Sequence, residues 1–71
     1  MKVWVITDIK GNVINVYEKK ENCVMRFERY FTADEEELLK RDAGTELSLF
    51  LYNRKTQAAH LVWKAKEVEV L

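Results

Sequence analysis

Alternation of apolar and polar residues with a period of two dominates both ends of this 71-residue chain and restricts its possible folds most strongly. A period of two places successive side chains on opposite faces of a β-strand. Residues 2–8 and 13–18 both alternate, and Lys-Gly-Asn at residues 10–12 separates them. Glycine and asparagine adopt the positive φ angles that tight hairpins require. The sequence therefore predicts an N-terminal β-hairpin.

A second pair of alternating segments follows Gly44. Leucines alternate with polar and aromatic residues across 47–52, residues 53–56 form a polar turn, and alternation resumes across 59–65. The phase of the apolar residues changes near residues 66–67, which predicts a bulge or bend there. The chain is expected to end in a second antiparallel hairpin.

Residues 23–31 fit two interpretations. Read as a strand, one face carries Cys23, Met25, Phe27 and Phe31. Read as a helix, one stripe carries Cys23, Val24, Phe27, Tyr30 and Phe31. The polar turn at residues 19–22 and a separate helix start at Thr32 favour the strand.

The helix start at Thr32 carries a capping signal. Thr32 lies three residues before Glu35, which is the spacing of a capping box, and four consecutive carboxylates at residues 34–37 complement the positive end of a helix dipole. Basic residues at 40–41 lie near the far end, and Gly44 is placed to end the helix. A short helix is therefore predicted between Thr32 and Gly44.

These elements predict one domain, residues 1–71, with the order β-β-β-α-β-β. The expected fold class is α+β, as a small antiparallel barrel of the OB type, which uses this order of elements. If residues 22–31 were helical, the order would be β-β-α-α-β-β, an open antiparallel sheet with helices on one face. The core is expected to contain Trp4, Phe27, Phe31, Leu47, Leu49, Leu51, Leu61 and Trp63.

Two stretches carry a family resemblance. Gly-Thr-Glu-Leu-Ser-Leu-Phe at residues 44–50 and Thr-Gln-Ala-Ala-His-Leu-Val at residues 56–62 resemble the closing half of cold-shock and related OB domains. The resemblance implies binding of single-stranded nucleic acid on the second and third strands, although the family's Gly- and Phe-rich segments are absent here. Residues 2–8 and the turn that follows also resemble small bacteriophage proteins, which implies an inhibitor or adaptor role.

The balanced charge, the single cysteine and histidine and the short apolar runs argue against several classes of function. Twelve basic and twelve acidic residues balance, which argues against a general polyelectrolyte binder. The single cysteine, Cys23, and the single histidine, His60, cannot form a zinc site, and no oxyanion-hole motif accompanies them. We therefore expect no enzymatic activity, no metal and no cofactor. Apolar runs no longer than four residues predict a cytoplasmic protein without a signal peptide or membrane association.

Basic and aromatic residues recur between positions 17 and 30, and on an OB sheet they would stack bases and neutralise phosphates. Phe50 and Tyr52 fall on the strand face opposite the leucines, so either the helix covers them or they meet a partner. The candidate residues for binding nucleic acid or a partner are Tyr17, Lys19, Lys20, Arg26, Arg29, Tyr30, Phe50 and Tyr52. The same cations also fit a solvated sheet face with cross-strand ion pairs.

Two functions follow from these residues. The leading prediction is a non-enzymatic module that binds single-stranded nucleic acid. The alternative is a protein-protein interaction module, such as a small phage-type inhibitor or adaptor, that uses its aromatic face or an edge strand. Pairing of the chain with itself through an unprotected edge strand, as a homodimer, is a third possibility.

Overall fold

The computed structural model describes residues 1–71 as one antiparallel sheet with one helix. The elements are β1 (Lys2–Asp8), β2 (Val13–Tyr17), α1 (Lys20–Glu28), β3 (Glu36–Asp42), β4 (Glu46–Asn53) and β5 (Ala58–Glu69). The strand order in the sheet is β2-β1-β5-β4-β3. The five-stranded antiparallel sheet with one short helix is confirmed. Barrel closure is not, because β2 and β3 are free edges.

Helix α1 occupies the segment that was predicted to be a strand. Its lysine, glutamate, methionine and arginine residues favour helix, and Cys23 and Phe27, four residues apart, lie on the same side. Both side chains are buried against the sheet, with at most 1% of Phe27 exposed. The strand prediction for residues 23–31 was therefore wrong, and the helical alternative was correct for residues 23–28.

Strand β3 occupies the segment that was predicted to be a helix. The first two carboxylates of the run, Asp34 and Glu35, lie in a turn, and the other two begin β3. At this turn the N–H of Ala33 donates to Glu36 Oε1 (2.9 Å) and the N–H of Glu36 donates to the carbonyl of Ala33 (3.0 Å). The chain then pairs with β4 along all of β3, and Leu38 lies opposite Leu51. The predicted helix after Thr32 was wrong because pairing with β4 along the whole strand, with Leu38 packed against the core, outweighs a local capping signal.

The core lies between α1 and one face of the sheet. It consists of Trp4, Ile6, Cys23, Phe27, Leu47, Leu49 and Ala65. The predicted core residue Phe31 is 84% exposed, because it follows the end of α1 and points away from the sheet. Leu61 and Trp63 are only half-buried.

The turns of both predicted hairpins form. In the first, the carboxylate of Asp8 accepts the N–H groups of Lys10 and Asn12, both at 2.9 Å. The hydrogen bond from the backbone of Asn12 is the main reason that the pKa of Asp8 is lowered. The register of the sheet is irregular at Ile6/Thr7 and at Leu49/Phe50, and not near residues 66–67 as predicted.

Helix α1 covers one face of the sheet and leaves the other without a packing partner. We call the second face the uncovered face. Near β2 it carries Val3, Val5, Val16 and Val68, and near β3 it carries Leu39, Phe50, Tyr52 and Leu61. The molecule measures 45 × 22 × 19 Å, so this face is long and narrow. The nine-residue α1 is too short to cross a bilayer.

Candidate binding surfaces of the sheet

The eight predicted binding residues divide between the two sides of the sheet. Six belong to the end of β2, to α1 or to the residues beside α1, namely Tyr17, Lys19, Lys20, Arg26, Arg29 and Tyr30. Phe50 and Tyr52 lie on the uncovered face, because β4 alternates and Leu49 and Leu51 point towards α1. The structure does not bring all eight residues onto one surface.

Lys20 is engaged inside the molecule. Its Nζ donates to Asp42 Oδ1 at 2.7 Å and to the carbonyl of Gly44 at 2.9 Å, and it lies 5.5 Å from the ring centroid of Trp4. The hydrogen bond from Lys20, together with the N–H of Gly44, lowers the pKa of Asp42. Lys20 therefore connects the start of α1 to the β3–β4 hairpin, and Asp42 neutralises its charge.

Arg26 is engaged in the same way at the other end of α1. Its Nε donates to Asn15 Oδ1 at 3.2 Å, and its guanidinium lies 4.8 Å from the centroid of the Trp63 ring. Tyr30 meets Trp63 edge-on, with the ring centroids 4.9 Å apart. These contacts attach α1 and the following turn to the sheet, which is a structural role for both predicted residues.

Three of the predicted residues nevertheless share one recess. Tyr17, Arg26 and Arg29 line a hollow of about 220 Å³ together with Asn22 and Met25. It lies between α1 and the edge strand β2, and we call it the edge recess. Its exposed cation is Arg29, since the guanidinium of Arg26 faces Trp63.

A larger recess lies on the uncovered face, and we call it the aromatic recess. Its volume is about 450 Å³, and its lining includes Arg41, Glu46, Ser48, Phe50, Leu61 and Lys64. The pairing of the strands explains this grouping. Phe50 of β4 lies opposite Leu61 of β5, which makes an apolar floor. Ser48 lies between Arg41 of β3 and Lys64 of β5, which places a cation on each side of β4.

The charges of the uncovered face are not all paired within the molecule. Lys64 Nζ lies 3.6 Å from Glu46 Oε1, and Arg54 Nη1 lies 3.7 Å from Glu37 Oε2. Arg41 has no ion-pair partner. Lys66 also has none, although it lies on the same face opposite Glu46 in register. Both acidic residues of this face are therefore paired, and two of its cations form no ion pair.

Sequence reasoning missed Arg41, Leu61 and Lys64 as possible binding residues. Arg41 was assigned to the end of a helix, so its place in a strand beside Phe50 was not considered. Simple alternation along β5 separates Leu61 from Lys64, but the irregularity beside Leu49/Phe50 shifts the phase and brings both to one face. A predicted β-bulge between Leu61 and Trp63 would have placed Leu61 and Lys64 on the same face.

The two residues considered for nucleophilic chemistry are in different environments. Cys23 has no exposed surface, and burial raises the pKa of its thiol. His60 is exposed on β5. No group of three or more histidine, cysteine, aspartate or glutamate side chains is arranged to hold a metal ion.

Comparison with protein families, with curated protein sequences and with solved structures finds no match.

Proposed function

We propose that this protein is a non-enzymatic module that binds single-stranded nucleic acid in the aromatic recess. The observation that carries the proposal is the position of Phe50, which is half-buried on the uncovered face and lines one recess together with the cations Arg41 and Lys64. An exposed ring on a sheet face provides a stacking platform for a base, and flanking cations neutralise the phosphates.

The charge pattern supports a nucleic acid over an apolar protein segment. Arg41 and Lys66 have no acidic partner, while both carboxylates of the uncovered face are paired. A bound phosphate would therefore meet cations that form no ion pair with this protein. Tyr52 follows Phe50 on the same face and is half-buried, so it offers a second ring to an adjacent base.

The proposal moves the site away from α1. Two of the cations first considered, Lys20 and Arg26, make internal contacts that a ligand would have to break. Arg41 takes their place as a phosphate-binding residue within the recess, and Lys66, opposite Glu46 on the same face, is the second. The predicted residues Phe50 and Tyr52 keep the role of stacking platforms.

The test is fluorescence anisotropy with a labelled oligothymidylate at low salt. Phe50→Ala is expected to weaken binding by roughly 5- to 150-fold, because stacking of one base on an aromatic ring contributes about 1–3 kcal/mol. Arg41→Gln is expected to lower the slope of log K against log salt by about 0.7, which corresponds to one phosphate contact on a single strand. Phe50→Leu serves as a second variant, because it removes the ring and keeps most of the apolar volume of the floor.

The matched controls lie outside the aromatic recess. Phe31→Ala removes an exposed aromatic ring, and Arg29→Gln removes an exposed cation from the edge recess. Both are expected to bind as the wild type does. If Arg29→Gln lowered the affinity for the oligonucleotide as much as Arg41→Gln does, the site would lie beside α1 and the proposal would be overturned. No binding by the folded wild type would also overturn it and would favour a protein ligand for the same face.

A further inference from the structure

The two edges of the sheet differ in how well they are protected. Five of the seven residues of β3 are charged, with the sequence EELLKRD. Strand β2 has the sequence VINVY and carries no charged side chain. Natural sheets protect their edges with charged residues, bulges or covering elements, because an unpaired edge is a template for another strand. Of the two edges, β2 is the one that is open to pairing.

The outer backbone groups of β2 have no partner within the molecule. Outside its ladder with β1, no backbone hydrogen bond involves residues 13–17. The one side-chain hydrogen bond at this strand, from Arg26, reaches the amide oxygen of Asn15 and not the backbone. These N–H and C=O groups are therefore available to a second strand.

Apolar side chains accompany this edge on both sides of the sheet. On the uncovered face Val16 is 55% exposed. On the other side Met25 of α1 is 54% exposed, and it lines the edge recess beside Tyr17. A strand that paired with β2 would cover the valine on one side and fill the recess on the other.

We infer that β2 pairs with β2 of a second copy of this chain, antiparallel and about a two-fold axis perpendicular to the sheet. The pattern of faces allows a second copy of β2 to pair with residues of the same face opposite one another, and the irregularity at Ile6/Thr7 selects the register. Val16 points to the uncovered face, and Asn15 and Tyr17 point to the side of α1. Residues opposite one another in a ladder share a face. With the axis at Val16, each valine opposes its equivalent, and Asn15 opposes Tyr17 of the second copy. Ile14, which has no partner in the ladder between β1 and β2, then lies outside the paired segment.

The resulting dimer has one continuous ten-stranded sheet, with both α1 helices on one side. A two-fold axis perpendicular to the sheet keeps the two uncovered faces on the same side. The contact involves few residues, so the dimer belongs to the class of small and reversible interfaces.

The first experiment is sedimentation velocity on the wild-type chain, without nucleic acid, at concentrations up to about 1 mM, which covers weak complexes. The sedimentation coefficient is expected to rise with concentration. Val16→Lys places two like charges opposite one another and is expected to weaken the dimer by at least about tenfold. Leu39→Lys is the matched control, because Leu39 is an exposed apolar residue of the same face on the other edge strand. It is expected to leave the dimer unchanged.

The second experiment tests the register. Opposed residues in an antiparallel ladder have Cα atoms about 4.5–5.5 Å apart, which is within the range of a disulfide. Val16→Cys is expected to form a covalent dimer on mild oxidation, whereas Leu39→Cys and the wild type, with its buried Cys23, stay monomeric on a non-reducing gel.

Three results would overturn the inference. These are a wild-type chain that is monomeric at the highest concentration, a dimer that Val16→Lys leaves intact, and a dimer that Leu39→Lys abolishes. None of them depends on the aromatic recess. A failure of this inference is therefore separate from a failure of the proposed function.

Discussion

Truncation of Phe27 tests whether α1 packs on the sheet as described. Only 1% of Phe27 is exposed, and its ring centroid lies 6.2 Å from that of Trp63. Replacing a buried phenylalanine by alanine costs about 3–5 kcal/mol, from lost burial and the cavity left behind. A domain of this length has a free energy of unfolding of roughly 4–11 kcal/mol. Phe27→Ala is therefore expected to remove a large part of the stability of the fold.

The measurement is urea unfolding followed by tryptophan fluorescence, because Trp4 belongs to the core. If the free energy of unfolding falls by about 1–1.5 kcal/mol per molar urea, as for a small domain, the midpoint is expected to fall by roughly 2–5 M. If Phe27→Ala does not fold, Phe27→Leu is expected to cost only about 1–1.5 kcal/mol and remains measurable.

The control is Phe31→Ala. Phe31 is 84% exposed, so its truncation is expected to change stability by no more than about 0.5 kcal/mol. If residues 23–31 formed a strand, Phe27 and Phe31 would share a face and both truncations would be costly. Equal losses for the two variants would refute the packing of α1 described above.

Three further predictions follow from individual contacts. Because its pKa is lowered in the folded state, Asp42 contributes stability above its unfolded pKa of 3.8 that is lost as the pH falls through the folded value. Asp42→Asn should therefore flatten the acid limb of a plot of melting temperature against pH, and an unchanged acid limb would contradict the contact with Lys20. Cys23 should react with a thiol reagent at pH 8 much more slowly in native than in unfolded protein, since it is buried with a raised pKa; equal rates would show that α1 does not cover it. Gln57 has a φ of 60°, so Gln57→Gly should keep or raise the melting temperature, whereas Gln57→Val should lower it, because a β-branched residue tolerates a positive φ least; a more stable valine variant would count against this turn.

The strands at the two ends of the chain could be predicted from sequence, because alternation and turn residues agree there. Residues 13–18 and 47–52 have no competing periodicity, and Gly11 adopts the positive φ that the first turn needs. Gly44 also has a positive φ, but it lies in the turn between β3 and β4 and not at the predicted end of a helix. The segment between residues 18 and 47 could not be assigned. Its helix lacks a side-chain cap, and the four consecutive carboxylates at residues 34–37, which resemble a helix start, span the turn before β3 and the first two residues of the strand.

The middle of the chain was misassigned because long-range contacts decide its structure. The Thr32 capping signal is local, whereas β3 forms through pairing with β4, which the local sequence of residues 32–43 does not reveal. The residues of the aromatic recess also depend on long-range contacts. Alternation along one strand placed Phe50 and Tyr52 on one face, but Arg41 and Lys64 lie near them only because of the register of three strands.

The charges on β3 have a consequence for assembly. A sheet with two open edges adds copies at both ends and grows into a fibre, since nothing limits its length. Here the outer edge of β3 presents charged side chains at five of seven positions. In the inferred dimer, pairing at β2 would use the single permissive edge of each copy and leave a charged edge at both ends of the pair. Growth of that assembly would stop at two chains, because neither remaining edge favours a further strand.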